Sequence, residues 1–140
     1  MKRTGFSLIE LLVAMAVFGI LASFAVPSYQ SYMNKSRRSD ALATLTGLQL
    51  TMEKFRGNCA QFPTTLGAAD DCATGVIKFP ASSNEGHYTI SVVAASSSGN
   101  SYKIQAAPTG VQTGDTKCGT LSITVNNANP KGLKEPANCW

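Results

Sequence analysis

The stretch from Phe6 to Val26, FSLIELLVAMAVFGILASFAV, decides how the rest of this chain can fold. As a helix it would be roughly 32 Å long, which matches the roughly 30 Å hydrocarbon core of a bilayer. Its single charge is Glu10, and its apolar residues occur on every side of the helix. A domain of this size cannot bury such a rod in its own core. We therefore predict that the rod lies in a membrane, in a bundle of identical helices, or in each by turns.

A short basic leader, residues 1–5, precedes the rod and carries Lys2 and Arg3. By the positive-inside rule the leader stays in the cytoplasm and the remaining chain is exported. An ordinary signal peptide cleaved near Ser23 and a plain membrane anchor are the two alternatives. A carboxylate within the apolar segment costs about 2.5–3.5 kcal/mol on insertion, and a discarded signal has no reason to carry Glu10.

The segment Gly5–Glu10, GFSLIE, with the basic residues before it and the apolar run after it, resembles the class III signal of type IV pilins and pseudopilins. The resemblance implies that a prepilin peptidase cuts between Gly5 and Phe6 and methylates the new amino group of Phe6. It also implies that Glu10 pairs with the N-terminal amine of a neighbouring subunit. A buried carboxylate does need such a partner, although a carboxylate tolerated near the membrane interface is the alternative.

Gly19 and Pro27 interrupt the rod. Proline removes a backbone donor and clashes with the carbonyl four residues before it, so a kink is expected around residues 23–27. The family resemblance implies a spring-like segment from Gly19 to Pro27 that can melt in the filament. A mild kink in a continuous helix is the alternative.

Residues 28–56 follow the rod and predict an amphipathic helix, because apolar residues recur at spacings of three and four. Lys35, Arg37 and Arg38 are interpreted as a solvated collar, with an anionic-lipid site as the alternative. Gly57-Asn58 is a plausible helix stop. The apolar stripe consists of Ala41, Leu45, Leu48, Met52 and Phe55, supported by Leu42 and Ala43.

Residues 57–80 are rich in proline and glycine and predict a loop, with one helical turn over residues 64–71 and an edge strand over residues 76–79. Three alternating runs then predict half-buried antiparallel strands. They lie at residues 87–92, 102–107 and 121–126. A flexible loop at 96–101 and a longer connector at 108–117 join them.

The apolar face of this sheet needs a partner, and the stripe on helix 28–56 is the only long one that the sequence offers. We therefore predict an α+β fold in which the C-terminal half of a long N-terminal helix packs on an antiparallel sheet. This is also the type IV pilin fold that the resemblance implies. The expected organisation is a leader (1–5), a membrane or filament-core helix (6–27) and a globular domain (28–140), whose sheet and C-terminal disulfide loop occupy 81–140.

Four cysteines, Cys59, Cys72, Cys118 and Cys139, follow the rod on the exported side, where disulfides persist. Three pairings are open. Nearest-neighbour pairing, Cys59–Cys72 and Cys118–Cys139, closes two separate loops and would stabilise the fold by about 3 kcal/mol each. No two cysteines lie two to four residues apart, so the spacing does not predict a zinc site.

No motif in the sequence predicts catalysis or a cofactor. His87 is the sole histidine and has no serine, cysteine or aspartate arrangement near it in the sequence that would form a nucleophile and base. Asp70-Asp71 is better interpreted as a turn. We therefore predict neither an enzyme nor a bound metal.

The segment Cys118–Ser122 and the terminal Cys139-Trp140 resemble the C-terminal end of PilE-like minor pilins. Lys117, Lys131 and Lys134 lie in or beside this loop, which the family displays on the filament surface. The three lysines are interpreted as a solvated surface, with contact to DNA as the alternative. No aromatic residues alternate with these lysines in the sequence, as they often do in nucleic-acid-binding segments.

Together these patterns predict a structural subunit of a type IV pilus, and a minor pilin in particular, that supports pilus biogenesis, twitching motility and adhesion. The implied partners are other pilin subunits, the prepilin peptidase, the inner-membrane assembly platform and, before assembly, membrane lipid. The predicted location is the inner membrane before assembly and the extracellular pilus afterwards. The alternatives are a pseudopilin of a type II secretion system and a pilin specialised for DNA uptake or adhesion.

Overall fold

The computed structural model describes residues 7–93 and 101–140, and the chain divides into two compact units after Lys35. One helix, α1 (Leu8–Cys59), contributes to both units. The predicted rod and the predicted amphipathic helix are therefore consecutive parts of one element. It ends at Cys59, slightly beyond the predicted 56, and the next residue, Ala60, has a positive φ of 57°.

Four strands form an antiparallel sheet in which each strand pairs with the next one along the chain. The first three, β3 (Tyr88–Val93), β4 (Tyr102–Pro108) and β5 (Leu121–Asn126), confirm the three alternating runs. The fourth, β6 (Asn129–Glu135), was not predicted, because its sequence NPKGLKE does not alternate. It pairs with β5 along the sheet edge, and the predicted hairpin loop between β3 and β4 lies mostly outside the described residues.

The predicted helical turn over residues 64–71 is wrong. Residues Thr65–Gly67 form a short strand, β1, which pairs in parallel with β2 (Val76–Lys78). The amide of Thr64 also donates to the Gly75 carbonyl at 2.8 Å. Pairing with β2 satisfies the backbone hydrogen bonds of this segment. The weak helical preference of its sequence is therefore overridden.

The core lies between the second half of α1 and the inner face of the sheet. Leu45 and Leu48 are fully buried, and so are Ile104 and Ile123 at opposed positions on β4 and β5. The predicted stripe is confirmed, whereas of the two supporting residues Leu42 is half-buried and Ala43 is exposed. Truncating one of these buried leucines would cost about 2–5 kcal/mol. The helix residues buried in this core are Ala41, Thr44, Leu45, Leu48, Met52 and Phe55.

The predicted connector after β4 contains a short 3-10 helix, η1 (Gly110–Gly114), and a second one, η2 (Ala137–Cys139), ends the chain. The second contains Cys139, which a disulfide joins to Cys118. These two irregular segments and β5–β6 make up the C-terminal part of the globular unit.

Candidate assembly helix and binding surface

The first part of α1 presents apolar side chains to solvent around its whole circumference. Phe18 is 71% exposed and Phe24 is 72% exposed. Each such side chain gains about 1.5–3 kcal/mol when it is fully removed from water. By length and composition this helix can cross a membrane, so the rod carries a strong drive to enter lipid or to pack on other helices.

Glu10 lies exposed in the first turn of α1. The carbonyl of Ser7 accepts from the amides of Glu10 and Leu11 at 3.1 and 3.2 Å, so Ser7 occupies the start of the helix. Ser7 and Glu10 therefore have the spacing of a capping box, and a carboxylate is favoured at this positive end of the helix dipole. Within residues 7–93 and 101–140, no cation lies within ion-pair distance of Glu10. Gly5 and Phe6, the predicted cleavage site, lie outside the described residues.

The helix passes Gly19 and Pro27 without interruption. Because Pro27 has no amide hydrogen, it cannot donate to the carbonyl four residues before it. Hydroxyl groups bond to the backbone nearby: Ser23 donates to the Ile20 carbonyl at 2.7 Å and Ser28 to that of Phe24 at 3.0 Å. The helix is therefore continuous through both residues in the single chain, and melting between Gly19 and Pro27 within a filament stays a prediction.

A buried polar cluster ties α1 to the connector that contains η1. The guanidinium of Arg38 donates to both carboxylate oxygens of Asp115, and Asp115 is only 3% exposed. The amide nitrogen of Gln112 donates to the Tyr88 hydroxyl at 2.9 Å and to Asp115 at 3.1 Å. Hydrogen bonding to Asp115 raises the pKa of Arg38, and burial raises the pKa of Tyr88.

The interpretation of Arg38 as part of a solvated collar is therefore wrong. Its partner is 77 residues away, and no local pattern connects the two positions. Asp40, two residues further along the helix, accepts from the backbone amide of Glu85 at 3.2 Å. Arg38 and Asp40 thus each bond to a loop of the globular unit, and neither is only a solvated surface charge.

The structure pairs Cys59 with Cys72 and Cys118 with Cys139. The first bond links the end of α1 to the loop before β2. The second links the segment after η1 to η2, and both of its cysteines are buried. Each disulfide joins two segments that are not paired with each other by strand hydrogen bonds.

An aromatic contact near the C-terminus was missed from the sequence. The ammonium group of Lys134 lies 4.8 Å from the centre of the Trp140 ring. The indole of Trp140 donates to the Glu135 carbonyl at 3.3 Å, which holds the ring against the end of β6. Lys117 and Lys131 are exposed and have no such aromatic neighbour in the described part of the chain. Only one of the three predicted lysines is therefore joined to an aromatic residue.

His87 and the acidic pair behave as surface features. The ring of His87 lies 3.8 Å from the carboxylate of Glu85, which is largely exposed. Asp71 accepts from the amide of Ala73 and the hydroxyl of Thr74. These bonds, led by that of Thr74, lower the pKa of Asp71 and make it the turn residue that the sequence predicted.

A polar pocket of about 390 Å³ lies between the last turns of α1 and the turn that joins β5 to β6. We call it the turn pocket. The hydroxyl of Tyr102 donates to the Glu53 carboxylate at 3.2 Å, and burial raises the pKa of Tyr102. The guanidinium of Arg56 stacks 4.9 Å above the Phe62 ring. The pocket is lined by Gln49, Glu53, Arg56, Val125, Asn126, Asn127 and Pro130.

Two family models match this chain. A model of the prokaryotic N-terminal methylation motif matches residues 1–26. A model described as type IV minor pilin ComP, DNA uptake sequence receptor, matches residues 27–122. The second match covers more than half of the chain and includes the Arg38–Asp115 cluster, strands β3 and β4, and the first two residues of β5.

Curated relatives are fimbrial proteins. The chain is 35% identical over 98 residues to the fimbrial protein EcpC of Eikenella corrodens, a match that covers 70% of this chain and 58% of that protein. It is 29% identical over 106 residues to the type IV major fimbrial protein FimA of Dichelobacter nodosus, covering 74% and 60%. A fimbrial protein of Moraxella nonliquefaciens is 41% identical over 69 residues, covering 49% and 45%. The chain thus spans at most about three fifths of the length of these relatives.

Proposed function

Because the chain belongs to the type IV pilin family, with a minor-pilin match over residues 27–122, we propose that it is a structural subunit of a type IV pilus, most like a minor pilin. The observation that carries this proposal is the uncovered apolar rod. Its side chains are exposed in the single chain, so they need lipid before assembly and neighbouring rods afterwards. In this role the protein supports pilus biogenesis, twitching motility and adhesion by packing rather than by catalysis.

The proposed life cycle begins at the inner membrane, with the globular unit in the periplasm. Prepilin peptidase cuts between Gly5 and Phe6 and methylates Phe6, as the motif match over residues 1–26 suggests. The assembly platform then moves the rod from lipid into the filament, where Glu10 pairs with the amine of a neighbouring subunit. Gly19 and Pro27 give the rod a place to loosen during this transfer.

Intact-mass and N-terminal peptide analysis of the protein from cells tests the first step. We expect a mature chain that starts at N-methylated Phe6 and has a net charge of +2 rather than +4, since Lys2 and Arg3 are gone. A mature start near Val26 would remove the rod and overturn the filament proposal.

A gene deletion separates the pilus from the secretion pseudopilus. We expect sheared surface filaments to contain the subunit at low abundance, and the deletion to reduce piliation and surface motility while exoprotein secretion stays normal. Loss of secretion with normal pili would instead identify a secretion pseudopilin.

We propose DNA binding during uptake as a second candidate function. It is supported by the family description that matches residues 27–122 and by the basic residues around the C-terminal part of the globular unit. Lys131, Lys134 and Arg56 are exposed there. Normal piliation with loss of DNA uptake in the deletion strain would favour this role, whereas loss of attachment alone would favour an adhesin.

A further inference from the structure

The turn pocket combines hydrogen-bond donors and acceptors of several kinds in a small space. Glu53 offers carboxylate oxygens, Arg56 offers a planar fork of N–H donors, and Asn127 offers an amide that can do both. The volume of about 390 Å³ lies within the range of small-molecule sites. Both charged residues are exposed, so a ligand can reach them without moving the core.

Its side chains are also held in place from behind. Gln49 donates to the Lys131 carbonyl at 3.2 Å, which fixes α1 against β6. Tyr102 occupies one oxygen of Glu53 and leaves the other for a ligand. Asn126 accepts from the amide of Asn129 at 2.8 Å and thereby closes the turn. A site whose groups are already positioned loses less entropy when it binds.

We infer that the turn pocket reads the edge of a base pair in DNA, with Glu53 and Arg56 as the residues that determine sequence preference. This inference rests on DNA binding as the second candidate function. A carboxylate accepts from the amino group of cytosine, and a guanidinium donates to O6 and N7 of guanine. Glu53 and Arg56 lie one turn apart on α1, so the two groups can address the two bases of one pair or adjacent steps.

The positive charges around the turn pocket favour a nucleic acid over a free nucleobase as the ligand, because a nucleic acid also carries phosphates. Lys131 follows the pocket on β6 and is exposed, and Lys54 extends from the neighbouring position of α1. Such lysines bind phosphates without regard to sequence, whereas groups in the pocket contact base edges. We therefore expect overall affinity for DNA to depend on the lysines, and sequence preference to depend on the residues of the turn pocket.

The test uses the full chain in detergent micelles and a pool of DNA duplexes with a randomised central window. Bound duplexes are selected and sequenced, and the enriched sequence is then titrated against single-base variants. Glu53→Gln keeps the volume and an acceptor but removes the charge, and Arg56→Lys keeps the charge but removes the fork. We expect each to reduce discrimination at one or two adjacent base pairs by about tenfold or more while total DNA affinity at low salt changes by about twofold or less.

Lys54→Gln is the matched control, because it changes a charge on the same turn outside the turn pocket. It should weaken binding to all sequences equally and reduce the salt dependence. Thermal unfolding checks each variant, and Asn127→Ala repeats the test on the exposed turn if loss of the Glu53 charge disturbs Tyr102.

The inference is overturned if both pocket variants enrich the same sequence with the same discrimination as the unmodified chain. Binding without any preference by the unmodified chain overturns it as well. If that chain binds no DNA at all, DNA binding itself fails, while the filament proposal is judged separately by the subunit's presence in sheared pili.

Discussion

The guanidinium of Arg38 donates two hydrogen bonds to the carboxylate of Asp115, at 2.5 and 2.6 Å, across 77 positions of sequence. The pair connects the first turns of the globular part of α1 to the connector between β4 and β5. Because Asp115 also accepts from Gln112, which in turn bonds Tyr88, the pair anchors the connector to the sheet as well.

Asp115→Ala should lower the free energy of unfolding by about 3 kcal/mol, because it leaves a largely buried guanidinium without its partner. Guanidinium chloride unfolding of the full chain in micelles would measure the loss. Lys103→Ala is the control, since Lys103 and Glu135 lie 4.0 Å apart on the surface and such pairs contribute about 1 kcal/mol or less. Equal losses in the two variants would show that the Arg38–Asp115 pair has no special role.

Stability should fall as the pH rises above about 10. Burial raises the pKa of Tyr102, so above that pH the unfolded chain releases the tyrosine proton while the folded chain keeps it. Fewer bound protons in the unfolded state mean that unfolding becomes more favourable with increasing pH. Thermal unfolding between pH 8 and 12 should show a weaker alkaline loss for Tyr102→Phe than for the unmodified chain. Equal alkaline losses in the two proteins would show that Tyr102 does not carry this pH dependence.

Non-reducing peptide mapping should find Cys59 joined to Cys72 and Cys118 joined to Cys139. Replacing Cys118 and Cys139 together by alanine should lower the free energy of unfolding by about 3 kcal/mol, because the unfolded chain regains the freedom of that loop. A Cys72–Cys118 crosslink would contradict the placement of the connector beside η2.

Glu10→Ala should leave membrane insertion intact or improved, because a costly charge is removed from the apolar segment. Incorporation into filaments should nevertheless fall, since the neighbouring amine loses its partner. Fractionation of membranes and quantification of the subunit in sheared pili separate the two effects. Met15→Leu, at an exposed position of the rod outside the Gly19–Pro27 segment, is the control and should assemble normally; normal incorporation of Glu10→Ala would refute the pairing role.

Much of the fold could be predicted because its patterns are long and periodic. The stripe from Ala41 to Phe55 and the three alternating strands each repeat over several turns or pairs, so single exceptions do not hide them. Strand β6 was missed because Pro130 and Gly132 break its alternation, and β1 was missed because it is only three residues long. Neither has a local pattern strong enough to distinguish a strand from a loop.

The sequence by itself determined the apolar rod, the leader motif ending at Glu10 and the packing of the second half of α1 on a sheet. These properties depend on the hydrophobic effect and on residues close together in the chain. Only the tertiary structure decided that Arg38 is bonded to Asp115, that Lys134 lies over Trp140 and that Glu53 and Arg56 share a pocket with the β5–β6 turn. Such contacts join residues whose separation in sequence carries no periodic pattern, and they exist only because the packed core brings their backbones within reach.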